Sequence, residues 1–149
     1  MLGPNPTQAS AFKIIHAGLS KGLAGLFTEL LVGAKALGLL DETLADYDEN
    51  HPGLLQRIGN SIASLPVHAK RRSEEMIELR ETFAYYGIAP VVVPSVEKIL
   101  SSIADLNVGE AATRQESLVD TIKLFSDKGL LRAESAADQS GNVKSPSQR

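Results

Sequence analysis

Between Thr7 and Leu37 the chain runs for about 30 residues without a proline, and apolar side chains recur through it at helical spacing. Pro6 and the Thr7 hydroxyl mark its start. One long helix is predicted. At 1.5 Å per residue it is about 45 Å long, more than the usual diameter of a domain this size, so it is expected to extend into a partner subunit. At 100° per residue, Phe12, Leu19, Leu23, Leu26, Leu30 and Leu37 fall within an arc of roughly 60° and are read as a core stripe. On another face Gly18, Gly22, Gly25 and Ala36 form a line of small residues. Each glycine costs ~1 kcal/mol of helix propensity relative to alanine, which is best explained by close approach of another backbone or a ligand.

Downstream the predicted elements are shorter. Asp41 to Tyr47 reads as one or two helical turns ending before Asn50-His51-Pro52-Gly53. Leu54, Leu55, Ile58, Ile62 and Leu65 mark a helix that stops before Pro66. His68 to Tyr86 makes another, with Met76, Leu79 and Phe83 on one face and Gly87 as its stop. Pro90 to Pro94 is an extended connector whose second proline opens a helix through Val96, Ile99, Leu100, Ile103 and Leu106. The last helix runs from about Glu116 to Gly129. Residues 132–149 hold almost no apolar side chain and are read as a disordered tail. The division is a lead-in over 1–6, one all-α helical bundle domain over 7–131 built around the long N-terminal helix, and the tail. Leucine and alanine far outnumber valine and isoleucine, which agrees with an all-α fold.

Composition removes several classes of function. The 149 residues include no cysteine, which excludes a disulfide scaffold, a zinc ribbon, an iron–sulfur protein and a thiol enzyme. With 18 acidic and 15 basic side chains the net charge is −3, and no electrostatic footprint for nucleic acid or anionic lipid is present. The opening residues lack a basic region and an apolar core, so a cytoplasmic location is expected. Gly22 to Leu40 is the most hydrophobic stretch, but Glu29 and Lys35 interrupt it, so no membrane span is expected. His16, His51 and His68 are too scattered to define a metal site, and no metal is expected.

One cluster is left that can carry chemistry. In Lys13-Ile14-Ile15-His16-Ala17-Gly18-Leu19-Ser20-Lys21-Gly22, the ideal angles of His16, Ser20 and Ala17 lie about −60°, −20° and +40° from Lys13, on one helical face. A lysine, an imidazole and a hydroxyl beside glycines that admit close approach can bind and protonate a small oxygen-rich substrate. The plainer alternative has Lys13 and Lys21 solvated and His16 half-buried in side-chain contacts. Lys70-Arg71-Arg72 also has two readings. One is a solvated helix face with an Arg71–Glu75 pair at i, i+4; the other gives Arg71 or Arg72 a substrate carboxylate or phosphate to hold in a bidentate fork.

The pattern Lys13-x-x-His16-x-Gly18, at the start of a long glycine-punctuated helix, resembles the substrate-binding helix of 6-phosphogluconate dehydrogenase and, more widely, of the β-hydroxyacid dehydrogenases. There the motif reads Lys-x-x-His-Asn-Gly and leads an all-α C-terminal domain. The run His68-Ala69-Lys70-Arg71-Arg72-Ser73-Glu74-Glu75-Met76-x-Glu78 looks like the His-x-x-Arg-Arg-x-x-Glu-Met-x-Glu segment of a little-characterised branch with a phosphogluconate-dehydrogenase-like C-terminal domain. The resemblance covers about Gln8 to Leu106. It implies Lys13 as the acid/base at the substrate hydroxyl and His16, Ser20, Arg71 and Arg72 as substrate-binding candidates. Further implications are an NAD or NADP cofactor, a small hydroxyacid-type substrate and a homodimer.

Two positions depart from the pattern. Ala17 stands where 6-phosphogluconate dehydrogenase has asparagine, and Ser20 where it has a glutamate acid. A methyl group cannot hydrogen-bond a substrate, and a serine hydroxyl is a poor proton donor beside a carboxylic acid. Oxidative decarboxylation of 6-phosphogluconate is therefore not the expected reaction. The cofactor-binding Rossmann unit of these enzymes, with its G-x-G-x-x-G turn, has no counterpart in these 149 residues. The expectation is a substrate-binding and dimerisation domain that works with a Rossmann domain and does not transfer hydride alone. The competing expectation is a non-enzymatic helical oligomerisation or small-molecule-binding module.

Overall fold

A computed structural model describes residues 6–108 and 117–133. Six α-helices and no strand occur among them: α1 (Pro6–Ala36), α2 (Leu40–Asn50), α3 (Leu54–Ala63), α4 (Leu65–Tyr85), α5 (Val92–Asp105) and α6 (Leu118–Asp127). The all-α expectation holds, and α1 is the long helix the proline-free run predicts. The other five helices all touch α1, and α4 and α5 form an antiparallel hairpin with the broadest contact of any pair. No helix of the described residues is long and apolar enough to cross a membrane. Of the expected lead-in over 1–6, all but Pro6, which opens α1, lies outside the described residues, as does all but residues 132–133 of the expected tail over 132–149.

Helix ends follow local chemistry. α4 stops at Gly87, whose φ of 74° is open to glycine. There Gly87 N–H donates to Ala84 C=O at 3.0 Å and Ile88 N–H to Phe83 C=O at 2.9 Å, the paired bonds of a Schellman ending. α6 begins with Ser117, whose hydroxyl oxygen accepts from the Asp120 backbone N–H at 3.1 Å and donates to the Asp120 carboxylate at 2.6 Å. Boundaries shift from the predicted ones in three places. α4 begins at Leu65 with Pro66 in its first turn, where a missing N–H costs nothing, so one residue, Ser64, separates it from α3. α5 begins at Val92, ahead of Pro94. α1 begins at Pro6, one residue before the predicted start.

The core is Leu31, Ile62, Leu65, Met76, Leu100, Ile103, Ile122 and Phe125, each essentially inaccessible, drawn from α1, α3, α4, α5 and α6. Two buried threonines, Thr28 and Thr121, keep their hydroxyls satisfied by donating to the carbonyls of Ala24 and Ser117.

The assignment of the leucine stripe to the core is corrected. Phe12 is 56% exposed, Leu19 64% and Leu37 75%, while Leu26 and Leu30 are also exposed and only Leu23 is partly covered. The face that α1 turns to its own bundle is Ala24, Phe27, Thr28, Leu31, Val32 and Ala34, rotated from the stripe by about 120°. Helical periodicity detects an apolar face, and cannot tell whether the chain's own helices cover it. The glycines divide likewise. A Cβ on Gly18 would collide with Leu79 of α4, and one on Gly25 would stand 3.1 Å from Ile99 of α5, so neighbouring side chains account for both. Gly22 has open space.

Candidate functional site

Lys13, His16 and Ser20 sit in the first half of α1, and all three are exposed. Ala17, beside them, is partly covered. Phe12 and His16, one turn apart, stack with ring centroids 6.4 Å apart and planes inclined by 18°. The side chain that ties this part of α1 to the rest of the molecule is Lys21. Only 11% exposed, its ammonium forms an ion pair with Glu75 of α4 and donates to the Ala17 carbonyl at 3.3 Å. Glu75 is also reached by Arg71, whose Nε lies 3.8 Å from the other carboxylate oxygen. That is the i, i+4 pair expected from sequence.

The helices that carry the two motifs are thus joined, on α1 three residues beyond Gly18 and on α4 within the His68–Glu78 run. The two segments are more than 40 residues apart in sequence, yet the Lys21–Glu75–Arg71 chain of charges joins α1 one residue after Ser20 to α4 within its arginine pair. Lys21 and Glu75 were not singled out as linking residues by sequence reasoning. Their spacing along separate helices is silent, and an isolated lysine and glutamate read as solvated charges.

Arg71 and Arg72 have different surroundings. Arg71 is 68% exposed, with only its inner edge engaged. Arg72 is half-buried and turned toward α3, where Nη1 donates to the Ser61 carbonyl at 2.8 Å and Nη2 to the Ser64 hydroxyl at 2.7 Å. It fastens the end of α3, adding to the bonds that the Ser61 carbonyl accepts from the Ser64 N–H at 3.3 Å and the Ser64 hydroxyl at 2.7 Å. Burial and the neighbouring positive charge of Arg71 hold the Arg72 guanidinium below its ordinary value, while Glu75 acts in the opposite sense. Between the two, Arg71 has the free donors.

Surface relief does not mark the motif residues. A cleft of about 620 Å³ lies between the second half of α1, α5 and the turn after α6, and none of Lys13, His16, Ser20, Arg71 or Arg72 lines it. A cleft of about 220 Å³ between α1 and α4, lined by Ser10, Ala11, Ile14, Thr82 and Tyr86, lies on the same half of α1. Among the described residues there is no strand and hence no strand–turn–helix loop of the kind that cradles a pyrophosphate.

Comparison with known proteins places this geometry. Residues 34–103 match the model of a family described as "Domain of unknown function (DUF1932)". Over that segment the chain is similar to DUF1932. DUF1932 is the C-terminal all-helical domain of NAD(P)-dependent 6-phosphogluconate-dehydrogenase-like proteins, in agreement with the resemblance carried by the two motifs. The match to DUF1932 contains the His68–Glu78 run, and the Lys13–Gly18 segment precedes it. The chain is 24% identical over 106 residues to an "Uncharacterized 28.5 kDa protein in 7S RNA 5'region" of Methanothermus fervidus, a match that takes in 70% of this chain and 42% of that protein. Its fold is similar to the crystal structure of a conserved hypothetical protein from Sinorhizobium meliloti 1021. The TM-score is 0.76 at 22% identity, over 85% of this chain and 43% of that one. The chain therefore spans less than half the length of either relative.

Proposed function

We propose that the chain is the substrate-binding half of an NAD(P)-dependent β-hydroxyacid-type dehydrogenase, an oxidoreductase acting on a CH–OH group. In this reading a separate Rossmann domain binds NAD or NADP and the protein works as a cytoplasmic homodimer. The observation that supports it is the charge chain Lys21–Glu75–Arg71, which ties α1, three residues beyond the Lys13–Gly18 segment, to the His68–Glu78 run of α4. Hydride transfer is the chemistry that the nicotinamide supplies when bound. The residues of this chain do the rest. Lys13 takes the proton from the substrate hydroxyl, His16 and Ser20 hydrogen-bond substrate oxygens, and Arg71 holds the substrate carboxylate with its free donor edge. Arg72, with its donors committed to Ser61 and Ser64, supports the helix corner behind them.

Thermal shift with a panel of small 3-hydroxyacids tests the reading. The expected result is stabilisation by at least one of them, lost in Lys13→Ala and Arg71→Ala with the unliganded melting temperature unchanged. Turnover of a hydroxyacid with NAD(P) by this chain alone, or retention of the ligand shift in both variants, overturns it. A second reading, a non-enzymatic helical oligomerisation module, is favoured by the exposed leucine face of α1. It predicts self-association with no ligand response.

A further inference from the structure

The cleft of about 620 Å³ between α1, α5 and the turn after α6 holds chemistry that the function proposed above does not use. Its volume suits a small molecule. Glu29 of α1, Lys98 of α5 and Arg132 of the turn line it, and among the described residues none of the three forms an ion pair. A salt bridge is the ordinary use of opposite charges that line one cleft; here they are left to solvent. Val32, Ile99 and Leu130, all buried, give the same cleft apolar walls. Gly33 keeps it open, since a Cβ built there meets nothing within 4 Å.

The turn is built to present the arginine. Gly129 N–H donates to Ser126 C=O at 3.0 Å and Leu130 N–H to Phe125 C=O at 2.9 Å, which closes α6, and the buried Leu130 anchors the turn. Arg132 N–H then donates back to Gly129 C=O at 3.1 Å. Leu131, between them, has a φ of 60°, in the left-handed region that favours glycine. A leucine held there stores backbone strain, and strain of this kind gathers at ligand sites. The Lys35–Asp127 ion pair, 3.7 Å long, ties the same end of α6 to α1. The backbone of Arg132 is thereby placed at the Lys35 end of the cleft, and Glu29 lies about 9 Å from Lys35 along the helix axis.

We infer that this cleft binds a small zwitterion with an apolar body, an aliphatic amino acid. Lys98 and Arg132 hold its carboxylate, the arginine through its planar fork. Glu29 holds its ammonium. Ser95, which lines the cleft beside Glu29, joins it: the Ser95 hydroxyl donates to the Val91 carbonyl at 3.3 Å and keeps lone pairs for an incoming N–H. The long side chains of Glu29 and Arg132 close the distance between the two ends. The aliphatic side chain lies against Val32, Ile99 and Leu130, where burial of apolar surface supplies affinity that exposed charges alone do not. An inorganic anion satisfies the two cations but leaves Glu29 and the apolar walls unused. The site stands apart from Lys13 and His16 and does not depend on the hydroxyacid reading.

Amide NMR titrations of the 149-residue chain with L-leucine, isocaproate and isoamylamine test the inference, because the acid lacks the ammonium and the amine lacks the carboxylate. L-leucine is expected to shift the Gly33 and Leu131 amides saturably and to bind about tenfold more tightly than either analogue. Glu29→Gln is expected to remove the preference for L-leucine over isocaproate. Lys98→Gln combined with Arg132→Gln is expected to remove the preference over isoamylamine. All three positions are exposed, so helix content stays unchanged in these variants. Gly33→Phe, at another exposed position, fills the cleft and is expected to abolish binding of all three ligands. The inference is overturned by the absence of any saturable shift with L-leucine, by equal affinity for the three ligands, or by L-leucine binding that survives Gly33→Phe.

Discussion

Lys21 of α1 and Glu75 of α4 form an ion pair in which the lysine is nearly buried and the carboxylate is two-thirds covered. Removing one partner of such a pair leaves the other partly desolvated without compensation, whereas removing both leaves no uncompensated charge from the pair. Lys21→Met and Glu75→Gln are each expected to lower stability by about 1–3 kcal/mol in urea unfolding. The double substitution Lys21→Met with Glu75→Gln is expected to lower it by less than the sum, and the difference is the coupling energy read from the cycle. A fully additive result contradicts the pairing.

Arg72 and Arg71 are neighbours in sequence with unequal structural weight. Arg72→Ala removes the donors that hold Ser61 and Ser64 and is expected to cost about 1–3 kcal/mol. Arg71→Ala breaks one exposed, long ion pair and is expected to change stability by under about 0.5 kcal/mol. The lowered value of the Arg72 guanidinium has a definite sign. Its charged form is disfavoured in the folded chain, and that cost persists at every pH below the arginine range, easing only as pH rises through the folded value. The loss from Arg72→Ala is therefore expected to be equal at pH 5 and pH 8.

Gly18 and Gly33 lie in the same helix and respond oppositely to a methyl group. Gly18→Ala forces Leu79 of α4 to move and is expected to destabilise by about 1–2 kcal/mol. Gly33→Ala meets no atom within 4 Å and gains helix propensity, so at concentrations where the chain is dilute it is expected to stabilise by about 0.5–1 kcal/mol. Melting temperatures of the two variants check both signs.

Phe125 and Phe12 separate the core from the apolar surface. Phe125 is fully buried, and Phe125→Ala is expected to cost about 3–5 kcal/mol. Phe12→Ala, at a site 56% exposed, is expected to cost under about 0.5 kcal/mol in a dilute chain. Comparable losses would restore Phe12 to the core.

Much of the fold is legible from local chemistry. The proline-free run gives α1, Gly87 gives the end of α4, and Met76 and Leu79 give its buried face. The face of α1 is not legible in the same way. Its core side contains Ala24, Thr28 and Ala34, weakly apolar beside the leucine stripe, so a search for the greasiest arc finds the surface that the bundle leaves uncovered. At the candidate site the Lys13–Gly18 pattern and the arginine run are visible as motifs. Which arginine is free, and which lysine is buried, depends on the approach of α4 to α1 and on the position of Ser61, and neither leaves a trace in spacing.

The corner between α3 and α4 has a kinetic consequence. Ser64 alone joins the helices, and Arg72 reaches back only 8 and 11 residues to clasp it from the far side. Contacts so close in sequence pay little loop-closure entropy. This corner is therefore expected to assemble before α1 docks, a small preformed elbow on which the long helix is laid down; a folding-rate penalty for Arg72→Ala that exceeds its unfolding-rate penalty would be the signature of that order.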